Sequence, residues 1–176
     1  MKIDDGTGNA NQAKVDGENN LHVRSVSTPI ALYAAIQAKS FGVVTGPITL
    51  TSANESGILY VLCSDPVDPL NVLKQLFYLG PSTGGSGPAR IRVYRNPTGG
   101  TLISNGTSLT ATNLNFTSSL QPNATIKKGA EGLTVTGGSP VIDIGVNTSF
   151  LLSVDDINWL LPNGSSYAVK IGRAHV

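Results

Sequence analysis

Histidine and cysteine, the side chains most often used for nucleophilic, acid–base and zinc chemistry, are almost absent from this sequence. The chain of 176 residues has one cysteine, Cys63, and two histidines, His22 and His175. His22 alternates with apolar neighbours in Leu21-His22-Val23-Arg24, a pattern typical of the solvent side of a strand. A zinc site needs three or four ligands, and a lone cysteine permits no internal disulfide. The sequence therefore predicts no metal site and no cofactor.

One short segment matches the Gly-x-Ser-x-Gly pattern of serine hydrolases, namely Gly80-Pro81-Ser82-Thr83-Gly84. In those enzymes the serine lies between a strand and a helix and works with a histidine and an acid. Here the motif is followed by Gly85-Ser86-Gly87-Pro88, which cannot begin a regular helix. Only His22 would be left to act as the base, if the last residues of the chain are set aside. We therefore predict that the protein is not an enzyme.

Acidic residues occur in pairs at Asp4/Asp5, Asp65/Asp68 and Asp155/Asp156. Two carboxylates about 5 to 9 Å apart could hydrolyse a glycoside, and Asp65 and Asp68 with backbone carbonyls could hold calcium. Aspartates in loops more often accept hydrogen bonds from the backbone of their own turn. Turn capping is the interpretation that we favour.

Three arginines, Arg90, Arg92 and Arg95, lie close together on one predicted strand and its end. Ile91 and Val93 alternate with them, so this strand has one apolar face and one wet face. The arginines could grip a phosphate or an acidic loop of a partner protein. Alternatively, they keep an edge strand soluble, as charges commonly do in β proteins. We favour the edge strand, and we prefer a protein partner to a nucleic acid.

Charge is low and balanced, since charged residues make up 13% of the chain and the net charge is +1. A typical soluble domain has about 25% charged residues. The balance predicts no broad basic surface for nucleic acid or an anionic membrane. No apolar run approaches the roughly 20 residues of a membrane span, and the polar start Met1–Gly6 lacks the apolar segment of a signal peptide. We expect synthesis in the cytoplasm.

Short segments of strand-like composition recur at intervals near ten residues, separated by turn residues, which predicts an all-β chain. These segments are Phe41–Val44, Pro47–Thr51, Gly57–Ser64, Val72–Leu79, Ala89–Arg95, Thr101–Ser104, Ala124–Lys127, Leu133–Thr136, Val141–Ile144, Ser149–Val154 and Ser166–Lys170. Ile58–Cys63 is apolar on both faces and is predicted to be a central strand. Pro29–Ser40 fits helical and strand patterns equally well. Even spacing without intervening helices indicates an antiparallel β-sandwich of jelly-roll type.

Composition divides the chain into three regions. Residues 1–28 are polar and glycine-rich, and two short extended pieces around an Asp-Gly turn predict a hairpin arm too small to be stable alone. We predict that this arm attaches to a neighbouring protein and that residues 29–170 form the sandwich. Residues 171–176 match one reading frame of a common sequencing adapter, which predicts a non-native tail. In that case we expect the final native strand to have an exposed edge.

Several stretches resemble a group of tailed-bacteriophage virion proteins, and the similarity extends over most of residues 3–170. The stretches are Asp4–Gly8, Ala13–Val15, Leu21–Arg24, Ile48–Tyr60, Ile91–Thr98 and Lys128–Gly132. Ile30–Lys39 departs from the pattern of the group. The resemblance implies a non-enzymatic structural component of the particle, such as a capsid decoration or a head- or tail-associated β-sandwich. It brings no catalytic residues.

These observations together predict a virion protein, made in the host cytoplasm, that contacts capsid or other virion proteins and forms homo-oligomers. The residues that we assign to partner contacts are Asp4, Asp5, Gly6, Lys14, His22, Arg24, Arg90, Arg92 and Arg95. The alternative is a carbohydrate-binding module that contacts glycans on a host surface, which an exposed row of aromatic residues would favour. Trp159, the single tryptophan, lies in the apolar stretch Ile157–Leu161 and is predicted to be buried.

Overall fold

The structure is a computed structural model, and it describes residues 30–51, 54–79, 89–146 and 150–173. The predicted arm and hairpin of residues 1–28 lie outside the described residues. So does the Gly80–Gly84 motif with Ser82.

The described residues form two short helices, ten strands and the turns between them. The helices are α1 (Ile30–Ile36) and α2 (Thr101–Asn105). The strands are β1 (Phe41–Gly42), β2 (Ser56–Cys63), β3 (Leu70–Leu79), β4 (Ala89–Arg95), β5 (Thr107–Ser108), β6 (Thr112–Asn113), β7 (Ala124–Lys128), β8 (Ser139–Val146), β9 (Phe150–Leu161) and β10 (Ser166–Arg173). Each pairing between these strands is antiparallel. The predicted all-β, antiparallel class is confirmed.

A six-stranded sheet forms the main layer, in the order β5-β7-β2-β10-β4-β8. The second layer is a two-stranded ribbon of β3 and β9, and β1 pairs separately with β6. β2 has a hydrogen-bonded neighbour on each side, as its apolar composition on both faces predicted. β4 begins 33 residues after the start of β2 in the sequence. In the sheet, β10 lies between these two strands and pairs with both.

The core fills the space between the sheet and the ribbon. Val61 and Cys63 on β2, with Ile91 and Val93 on β4, contribute from the sheet, and Phe77 on β3 contributes from the ribbon. Each large apolar side chain buried in this way contributes about 1.5–3 kcal/mol. The two packed layers give the sandwich.

The segment Thr101–Ser104 is a helix, and its predicted strand is wrong. α2 inserts Leu102, which is fully buried, against Tyr60 and Ala168 on the outer face of the sheet. The short helix covers this apolar part of the face. Tertiary packing therefore overrides the β-branched composition of the segment.

Two other predicted strands, Pro47–Thr51 and Leu133–Thr136, have no strand structure. Leu133 accepts a backbone hydrogen bond from Gly57, and Thr134 accepts one from Leu102. Thr136 forms an isolated bridge with Gly99. The backbone of Leu133–Thr136 is thus satisfied by three separate segments rather than by one ladder. Pro29–Ser40, which the pattern left open, contains the helix α1.

The last strand extends further than predicted, because β10 continues through Ile171 and Gly172 to Arg173. It pairs with β2 on one side and with β4 on the other. Ile171 is 8% exposed and belongs to the core. The expectation of an exposed edge on the final strand is therefore wrong, since β5 and β8 are the edge strands of this sheet. The non-native origin of residues 171–176 stays a prediction.

Candidate functional site

The residues assigned to partner contacts divide into two groups. Those on the N-terminal arm lie outside the described residues, namely Asp4, Asp5, Gly6, Lys14, His22 and Arg24. Arg90, Arg92 and Arg95 lie on β4, as predicted. The structure therefore describes the arginine part of the candidate site.

β4 is an internal strand, because it pairs with β10 on one side and with β8 on the other. The interpretation that its arginines protect an edge strand is wrong for this reason. Ile91 and Val93 point into the core and are fully buried, so Arg90 and Arg92 project onto the outer face of the sheet. Arg95 lies at the end of the strand, is exposed, and forms no ion pair within the described part of the chain.

Arg90 and Arg92 belong to a network of five charged side chains, which we call the charged cluster: Glu55, Arg90, Arg92, Asp143 and Lys170. Arg90 donates two hydrogen bonds to Asp143, from Nε to Oδ1 at 2.5 Å and from Nη2 to Oδ2 at 2.6 Å. Arg92 Nη1 lies 2.7 Å from Glu55 Oε1, and Lys170 Nζ lies 2.8 Å from Glu55 Oε2. Arg92 Nε is 3.4 Å from Asp143 Oδ2 and so links the two halves.

The cluster owes its geometry to four chain segments. Asp143 on β8, Arg92 on β4 and Lys170 on β10 occupy neighbouring register positions, and Glu55 directly precedes β2. Gly172 leaves room for Glu55, since a Cβ at position 172 would lie 2.5 Å from Glu55 Cγ. Lys170 Nζ also lies 5.2 Å from the centre of the Tyr94 ring, within the range of a cation–π interaction.

In the charged cluster, each positive side chain is paired with a carboxylate. The hydrogen bonds from Arg90 lower the pKa of the Asp143 carboxyl, and Asp143 in turn raises the pKa of Arg90. Glu55 and Lys170 are largely buried, with side chains 23% and 16% exposed. Three cations and two anions leave one net positive charge. The arrangement therefore joins β10, β4, β8 and the start of β2 on the outer face, and each guanidinium is paired with a carboxylate, although Arg92 Nε donates no hydrogen bond of normal geometry within the described residues.

The sequence did not reveal Glu55, Asp143 and Lys170 as members of this site. The available signal was alternation, since Asp143 is flanked by Ile142 and Ile144 and must point away from the core. Alternation gives the face of a side chain but not the order of the strands. The partners of the arginines therefore needed the structure.

The carboxylates of Asp65 and Asp68 are engaged in different contacts within the described residues. Asp65 Oδ1 accepts hydrogen bonds from the backbone N–H groups of Val67 and Asp68, both at 2.9 Å, and these bonds lower its pKa. Turn capping is thus confirmed for Asp65. Asp68 pairs with Lys39 at 2.6 Å. Asp155 lies in β9 opposite Lys74 rather than in a loop. Among the described residues there is no group of three or more potential metal ligands.

Two of the segments that carry the resemblance interlock around the start of β2. Gly129 donates a hydrogen bond to the carbonyl of Ile58 at 2.9 Å, and Gly132 donates one to Ser56 Oγ at 3.0 Å. A side chain at Gly129 would collide with the carbonyl oxygen of Gly57. The backbone N–H of Thr51 donates a hydrogen bond to Glu131 at 3.0 Å. Ile48–Tyr60 and Lys128–Gly132 thus form one structural unit.

The third such segment in the described part, Ile91–Thr98, forms β4 and its turn. Asn96 has a positive φ of 47°, a conformation that asparagine tolerates better than most residues. Its N–H donates to Ser166 O at 2.8 Å, and its Oδ1 accepts from the N–H of Ser166 at 2.9 Å. The turn therefore fixes the start of β10 beside β4.

Neither helix in the described residues has the length and hydropathy that would let it span a membrane. Comparison of the chain with protein-family models, with curated proteins and with solved structures finds no match.

Proposed function

We propose that the chain is a non-enzymatic structural component of a tailed-bacteriophage virion, and that it decorates or joins the capsid or tail through residues 1–28. The observation that carries the proposal is the interlocking of Ile48–Tyr60 with Lys128–Gly132. The residues that carry the resemblance form turns and backbone hydrogen bonds in the structure, which is typical of residues that maintain a fold. The resemblance thus concerns a fold that serves as a rigid body.

The charged cluster supports the proposal that the sandwich is a rigid body and that the arm makes the attachment. Its carboxylates hold Arg90 and Arg92 on the sheet, which stiffens the body and leaves Arg95 as the β4 arginine available to an acidic loop of a neighbour. The polar arm is the attachment element, adding main-chain hydrogen bonds to a capsid or tail protein. Repeated copies on a symmetric particle would turn weak single contacts into stable decoration. The protein would be made in the host cytoplasm and reside in the virion.

Co-sedimentation with undecorated particles tests this proposal. We expect the 176-residue protein to pellet with particles and a variant without residues 1–28 to remain in the supernatant. The substitution Arg95→Gln should weaken binding to a smaller extent, while Asp68→Asn, in the loop between β2 and β3, should not change it. Equal co-sedimentation of the full chain and the arm-deleted variant would remove the arm from the mechanism.

Exposed aromatic residues favour a second candidate, a carbohydrate-binding module of the same architecture. Tyr33, Tyr78 and Phe116 are 58%, 73% and 92% exposed, and aromatic rings with accessible faces suit sugars. Trp159 is only partly buried and packs edge-on against Tyr167, with ring centres 5.8 Å apart. Binding to a glycan array, together with no binding to any particle, would support this candidate over the first.

A further inference from the structure

Two segments of the chain expose most of the large apolar side chains found on the described surface. We call this surface the apolar face, and it comprises Leu32, Tyr33, Ile36, Val43, Val44, Leu114, Phe116 and Leu120. These are eight of the thirteen exposed large hydrophobic residues in the described part of the chain, so the exposure is concentrated rather than scattered. Concentrated apolar exposure marks interaction sites, whereas single exposed residues are normal.

Backbone pairing and one buried side chain hold the two segments together. Phe41 and Gly42 of β1 pair with Asn113 and Thr112 of β6. Asn113 is 5% exposed, and its Nδ2 donates hydrogen bonds to the carbonyls of Ala38 at 2.8 Å and Leu120 at 3.0 Å. The residues that follow α1 are thereby fixed to both ends of the loop 114–120. The two segments that carry the apolar face are therefore held next to each other.

The same surface carries almost no charge. Residues 40–54 and 96–126 contain no Asp, Glu, Lys or Arg. Among the described residues, Lys39 follows α1, and its charge is paired with that of Asp68 at 2.6 Å. Depletion of charge with exposed aromatic residues is the composition of the centre of a protein interface. The charged cluster, by contrast, lies on the outer face of the six-stranded sheet.

The size of the surface fits one interface. With roughly 200 Å² for a large apolar residue, the exposed fractions of the eight side chains correspond to on the order of 900 Å². A standard interface buries about 800 Å² on each partner. The apolar face is thus large enough to hold two molecules together.

We propose that the apolar face is the contact between two copies of this chain. A neutral face offers no charge to recruit an acidic or basic partner, and it does not repel an identical face. A two-fold arrangement covers both copies of the surface at once, as isologous dimers do. The proposal goes beyond the attachment to a particle and does not depend on it, since it concerns the isolated protein.

Sedimentation equilibrium of the purified 176-residue protein tests this proposal without any particle. We expect a dimer, and we expect Phe116→Asp to weaken the dimer roughly tenfold or more because it places a charge in the contact. The matched control is Val141→Asp, since Val141 is 47% exposed and lies on β8, which pairs with β4 and with neither segment of the apolar face. Both substitutions are at exposed positions, so both variants should retain the circular dichroism of the parent.

A parent protein that is monomeric at its highest soluble concentration would overturn the proposal. So would equal effects of Phe116→Asp and Val141→Asp. Loss of the dimer on removal of residues 1–28, with no effect of Phe116→Asp, would assign the contact to the arm instead. A monomer that binds glycans through Phe116 would assign the apolar face to carbohydrate. A monomer can still pellet with particles through its arm, although with lower apparent affinity, so the two proposals fail separately.

Discussion

Glu55 is the residue on which the charged cluster depends, because its two carboxylate oxygens each hold a different cation. Glu55→Gln removes the negative charge and leaves Arg92 and Lys170, both largely buried, without a full counterion. We expect a loss of about 1–2 kcal/mol in the free energy of unfolding. The control is Asp68→Asn, which breaks the exposed pair with Lys39 and should cost less than about 0.5 kcal/mol. Urea unfolding measures both, and equal losses would contradict the role of the cluster.

Tyr167 is the described residue with the largest shift in pKa, since burial raises the pKa of its phenol to about 12 and the Gln75 side chain lowers it by a smaller amount. In the unfolded chain the phenol titrates near 10. In the folded state the phenol therefore stays protonated up to a higher pH than in the unfolded chain. Its contribution to the free energy of unfolding is complete below about pH 10. It is lost as the pH rises from about 10 to 12, by up to about 1.4 kcal/mol per pH unit.

Tyr167→Phe isolates this effect because it keeps the ring and removes the titrating group. The stability of the parent should fall faster than that of the variant between pH 10 and 12, as followed by urea unfolding at each pH. Parallel curves for the two proteins would mean that the phenol is accessible to water in the folded state.

At the scale of elements, the contact between the start of β2 and the turn after β7 should be highly sensitive to added volume. Gly129→Ala would place a Cβ against the backbone of Gly57, which cannot move without breaking the sheet. We expect a loss of about 3 kcal/mol or more. Gly145→Ala on β8 is the control, since a Cβ there meets no atom within 4 Å and should change stability by less than about 0.5 kcal/mol.

Thermal unfolding and the yield of soluble protein report on this pair of variants even if Gly129→Ala fails to fold. Equal melting temperatures for the two variants would show that the turn is pliable. Equal melting temperatures would also contradict the role that we assign to Lys128–Gly132 in holding the start of β2.

Elements with a strong local pattern were predictable, and elements defined by distant contacts were not. The apolar run of β2 and the alternation of β4 determine which side chains enter the core, so both strands were found. α2 was mistaken for a strand because its reason to be helical is the cover that Leu102 gives to Tyr60 and Ala168. The pairing of Arg92 with Glu55 could not be predicted from the sequence, because it depends on β10 lying between β2 and β4.

At the scale of the whole molecule, the described residues form a sandwich with two distinct surfaces, the charged cluster and the apolar face. The arm of residues 1–28 is proposed to attach to the particle, and the apolar face to join two copies. The charged cluster joins four segments of the six-stranded sheet. A dimer presents two arms to the particle, which would raise the apparent affinity of each arm through effective concentration. Loss of the dimer should therefore weaken decoration without abolishing it.

The most direct test of the central claim is a titration of undecorated particles with increasing amounts of the 176-residue protein, followed by sedimentation and quantification of bound copies. We predict that binding saturates at a fixed number of copies per particle. A variant that lacks residues 1–28 should remain unbound over the same range of protein concentration. Binding that does not saturate, or that is the same with and without residues 1–28, would contradict it.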